Sequence, residues 1–99
     1  MNKQYPPFIQ KLEKTDAELY QLISAQHDII MSPGAIDMKT KFLILLAVDA
    51  FAGSTGVKGI SDVARKMGAT EAEITESLRI AYHVAGNKVL NASMAAFDL

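Results

Sequence analysis

The chain has 99 residues, 49% of them hydrophobic, with ten basic against eleven acidic side chains and a net charge of -1. That length is one domain's worth, and about a third of the unfolded surface stays exposed after a chain this size folds. A charge so near zero gives no bulk electrostatic reason to bind nucleic acid or anionic lipid, and the lack of any cysteine excludes disulfides, a thiolate nucleophile and a thiolate metal site.

At the amino end, MNKQYPPFIQ has no apolar run long enough for a signal-peptide core, so the sequence reads as an unprocessed, cytoplasmic chain. Tyr5-Pro6-Pro7-Phe8 holds the backbone extended and then admits a short helix, since proline is tolerated in a first helical turn. Thr15-Asp16-Ala17-Glu18 has the pattern of a capping box, with Thr15 as the expected cap. The helix it opens carries Leu19, Leu22, Ile23 and Ile30 at helical spacing, with Gln26 interrupting the row, and ends at Ser32-Pro33-Gly34.

The central stretch is Asp37 to Ala52, DMKTKFLILLAVDAFA. Asp37 supplies an N-cap oxygen and Gly53 a stop, so it reads as about four turns of helix. Phe42 to Val48 is apolar without a break, and a helix so apolar on every side wants cover all round. Asp49 interrupts the run well short of the ~20 residues a bilayer requires, so no membrane span is expected. A 99-residue monomer has little shell to spare for such a helix, and subunit contacts are expected to complete the core.

Gly53-Ser54-Thr55-Gly56 reads as a hinge of small residues. Val57, Ile60, Val63, Ala64 and Met67 form the next helical stripe, which Gly68 closes. Thr70-Glu71-Ala72-Glu73 is a second capping box, followed by Ile74, Leu78, Ala81 and Ala85. Gly86-Asn87 is expected to end that helix, and Val89, Leu90, Met94 and Phe97 to mark a last short one. No strand pattern or interdomain linker competes, so the class is all-α and residues 1–99 read as a single domain.

Residues 35 to 97 also carry a resemblance. The run Ala35-Ile36-Asp37-Met38-Lys39-Thr40-Lys41, the apolar helix, Ala64 to Ile74 (ARKMGATEAEI), then Ala81-Tyr82 and Ala85-Gly86 together resemble the carboxymuconolactone decarboxylase and alkylhydroperoxidase D-like family. The resemblance implies an alkylhydroperoxidase D-like bundle of about five to six helices, assembled as a trimer or hexamer, with peroxiredoxin-type or lactone decarboxylase activity. Its thiol-dependent members carry C-x-x-C with a histidine four residues on, at the start of the helix leading to the GA-T turn. A helix N-terminus lowers a thiol's pKa, a histidine moves the proton, and the second thiol resolves the oxidised first.

Counted back from Gly68, those positions fall on Gly53, Gly56 and Ile60; counted forward from the apolar helix, on Ser54, Val57 and Ser61. Neither register offers a thiol, and the family glutamate expected after the Lys-Thr pair falls near Phe42. The sequence therefore resembles the scaffold without the redox centre. What the resemblance leaves is a thiol-free acid-base enzyme or an oligomer that binds a small apolar or carboxylated ligand at Gly53, Gly56 and Ile60, with no cofactor expected.

Asp49 and His83 are the candidate acid-base residues, Asp49 because a carboxylate inside an apolar helix must find a partner or water. The plainer reading has Asp49 reach solvent or pair with Lys58, Arg65 or Arg79. Glu76, Arg79 and His83 share one polar face of a helix, which solvation alone explains, and His27-Asp28 sits near a helix end where the dipole favours histidine. Two histidines on different helices make no metal-ligand spacing, and Met38, Met67 and Met94 fit core stripes. Two alternatives stand beside these: a purely structural oligomer, or a helix-turn-helix over residues 60–78. In the latter the leading end of the second helix carries Glu71, Glu73 and Glu76, the wrong charge for a phosphate-lined groove, which argues against nucleic acid.

Overall fold

The computed structural model describes residues 5–98. Among them are five α-helices, α1 (Pro7–Thr15), α2 (Ala17–Ile30), α3 (Met38–Ala52), α4 (Val57–Lys66) and α5 (Glu71–Ser93), and a closing 3-10 turn at Met94–Phe97. No strand occurs among the described residues, and none of their helices is long and apolar enough to cross a membrane. The chain forms two compact units, Met1–Gly34 and Ala35–Leu99.

The first unit is the α1–α2 hairpin. Pro7 stands in the first turn of α1, where its missing N–H would have been unpaired anyway. Asp16 serves both helices: its N–H donates to the Leu12 carbonyl at 2.8 Å, and its Oδ1 accepts from the Leu19 N–H at 3.1 Å. The cap of α2 is therefore Asp16, not Thr15 as its sequence pattern suggested. Thr15 is the last residue of α1 and spends its hydroxyl on the Lys11 carbonyl at 2.9 Å, so the acceptor one residue on takes the role. Ile9 is buried between the helices, while Leu22, Ile29 and Ile30 are exposed. The Tyr5 hydroxyl donates to the Asp28 carboxylate, and the Tyr5 ring meets those of Tyr20 and His27 edge-on.

In the second unit, α3 packs against α4 and α5. Its cap is as expected: the Thr40 N–H donates to Asp37 Oδ1 at 2.7 Å, and Gly53 ends the helix at φ +71°, a left-handed conformation that favours glycine. α4 closes with Ala69 N–H on the Ala64 carbonyl and Gly68 N–H on the Arg65 carbonyl, Gly68 standing at φ +98°. This pair of bonds is a Schellman closure, and the buried Ala69 supplies its apolar contact. Thr70 and Glu73 then complete a reciprocal capping box for α5 at 3.1 and 2.9 Å. The Glu73 carboxylate also accepts from Lys39 Nζ at 3.0 Å, which ties the first turn of α3 to that of α5.

Two expectations are corrected here. Gly86-Asn87 does not end α5, which continues to Ser93. Glycine in a helix interior costs only about 1 kcal/mol, and Gly86 does not take the positive φ that a stop requires. Met67 and Met94 are exposed rather than part of a core stripe. The core consists of Leu46, Ala64, Ala69 and Ile74, with Phe42, Leu43, Val57, Ile60 and Leu78 packed around them. Only Leu46 of α3 is fully buried, whereas Ile44, Val48 and Phe51 are 48%, 59% and 42% exposed. A single chain thus covers its most apolar helix on one side and leaves the other open.

Candidate functional site at the turn between α3 and α4

The positions matching the family's redox motif surround the turn from α3 into α4. Gly53 ends α3, exposed and left-handed; Gly56 is the N-cap of α4; Ile60, one turn on, packs on the core. Having no side chain, Gly56 gives α4 no side-chain cap, so N–H groups of the first turn of α4 remain open to a ligand. The Gly56 N–H itself donates to Ser54 Oγ at 3.2 Å, and the Ile60 N–H to the Gly56 carbonyl at 3.0 Å.

Asp49 reaches this turn from the last part of α3. A Cβ placed on Gly56 would stand 2.6 Å from Asp49 Oδ2, 3.5 Å from Ile60 Cδ1 and 3.6 Å from Ser54 Oγ. Gly56 is therefore the residue that leaves room for the carboxylate. Asp49 is half-buried, and no side-chain hydrogen bond or ion pair engages its carboxylate among the described residues. Of the bases named for it, two are taken, Lys58 Nζ pairing with Asp62 at 3.0 Å and Arg65 with Glu71 at 2.6 Å and with Asp62 at 3.3 Å, while Arg79 is exposed on α5 and makes no ion pair with it. The turn thus holds an unpaired acceptor beside a helix start that offers donors, an arrangement suited to accepting a proton or a hydrogen bond from a small molecule.

His83 is elsewhere. It is exposed on α5, with Nε2 at 3.2 Å from the Asn87 amide nitrogen, and no hydrogen bond or ion pair joins it to Asp49. Glu76 and Arg79 share its exposure on the same helix. In the other unit, His27 lies in the last turn of α2 with Nδ1 buried and 3.9 Å from Asp28 Oδ1. Among the described residues, no three His, Asp or Glu side chains converge.

The segment read as a helix-turn-helix over 60–78 takes in most of α4, the Gly68 turn and the start of α5. Its leading end carries two ionised carboxylates, each already paired with a cation. The Arg65 guanidinium holds the Glu71 carboxyl below its ordinary range, and the Thr70 backbone N–H, with Lys39, does the same for Glu73. Both are ionised at neutral pH and would meet phosphates with like charge.

One feature escaped the sequence reading. An open groove of about 490 Å³ runs between α3 and α5, lined by Leu43, Ile44, Val48, Phe51, Ile80 and Val84 among others, with the hydroxyls of Thr40 and Ser77 the only polar side chains in its wall. The apolar residues of α5 at Ile80 and Val84, four apart, were its one local signal.

No curated protein and no solved structure matches the chain. The model of the carboxymuconolactone decarboxylase family matches residues 17–99, a stretch that begins with α2 and takes in the whole second unit. With most of its length so matched, the chain belongs to the carboxymuconolactone decarboxylase family.

Proposed function

We propose that this chain is a thiol-free member of its family: a homo-oligomer, trimeric or hexameric as the resemblance implies, that binds a small apolar or carboxylated ligand at Gly53, Gly56 and Ile60. Asp49 is the group that exchanges a proton or a hydrogen bond with that ligand. The observation that carries the reading is the Asp49 carboxylate, half-buried and unpaired, beside Gly56 at an uncapped helix start. Peroxide chemistry of the family's thiol kind is ruled out by composition, since no cysteine can form the sulfenic acid. His83 has no part in this reading because it is held on an exposed face with Asn87.

The test compares ligand-induced thermal shifts from a library of small carboxylates, lactones and apolar neutrals for the parent, Asp49→Asn, Gly56→Leu and Glu73→Ala. Hits that survive in Glu73→Ala but are lost in Asp49→Asn and Gly56→Leu place the ligand at the turn. Hits shared by all four variants place it elsewhere and refute the site.

A further inference from the structure

We draw no further inference here: the strongest candidate, the open apolar groove between α3 and α5 lined by Ile44, Val48, Phe51, Ile80 and Val84, carries none because nothing in the structure shows what covers it.

Discussion

Asp49 and Gly56 are matched to each other: Oδ2 of the carboxylate fills the space that a side chain at Gly56 would need, 2.6 Å from the position of its Cβ. A glycine here answers to a close approach rather than to backbone conformation, since its φ of -80° is open to any residue. Gly56→Ala should therefore cost more stability in the parent than in an Asp49→Ala background, with a coupling of at least about 0.5 kcal/mol in a double-mutant cycle of chemical denaturation. Equal costs in both backgrounds would mean that the carboxylate does not depend on the glycine.

Acid should loosen the start of α3 and of α5. The Thr40 backbone N–H holds the Asp37 carboxyl below its ordinary value, and the Thr70 N–H, with Lys39, does so for Glu73. A folded-state value below the unfolded one means that the unfolded chain binds more protons in acid. The stabilisation is thus complete above the ordinary carboxylate range and is lost as pH falls through the folded-state values. The Tm advantage of the parent over Glu73→Gln should be full at pH 7 and shrink as the pH falls below the ordinary carboxylate range. Thr70→Ala, which removes the other half of the box, should cost about 1 kcal/mol at neutral pH.

Those caps show what a sequence displays best. Asp37, Gly53, Gly68 and the Thr70–Glu73 box act within one helical turn, so spacing alone places them. Adjacent acceptors blur the reading, as at Thr15 and Asp16, where the hydroxyl turned back to Lys11 and left the cap to the carboxylate. Gly86 misled because the intrinsic cost of a helical glycine is smaller than what the rest of a 23-residue helix supplies. Of the proposed site, the glycines and Asp49 were legible as residues. Their apposition depends on the angle at which α4 leaves the turn, and the groove depends on which side of α3 meets α5. Both are non-local, and so is the separation of His83, a candidate in the sequence, from Asp49.

Peroxide chemistry offers a negative check. The purified chain with a dithiol donor should consume hydroperoxide no faster than the protein-free blank, because neither Gly53 nor Gly56 can be oxidised. Gly53→Cys/Gly56→Cys should add little, since Ile60 still stands where the proton carrier of the motif would be and the new Gly56 side chain would crowd Asp49. Robust metal-free turnover by the parent would contradict this.

The most direct measurement of the proposed site follows backbone amide resonances while a hit from the carboxylate, lactone or apolar library is titrated in. The glycine amides are well suited to it, because Gly53 and Gly56 flank the turn while Gly68 and Gly86 lie outside the site. Saturable shifts at Gly53, Gly56 and Ile60, absent in Asp49→Asn and unaccompanied by shifts at Val48 or Val84, are the predicted result. Saturable shifts confined to Val48, Phe51 and Val84, with Gly53 and Gly56 unmoved, would contradict it and put the ligand in the groove between α3 and α5.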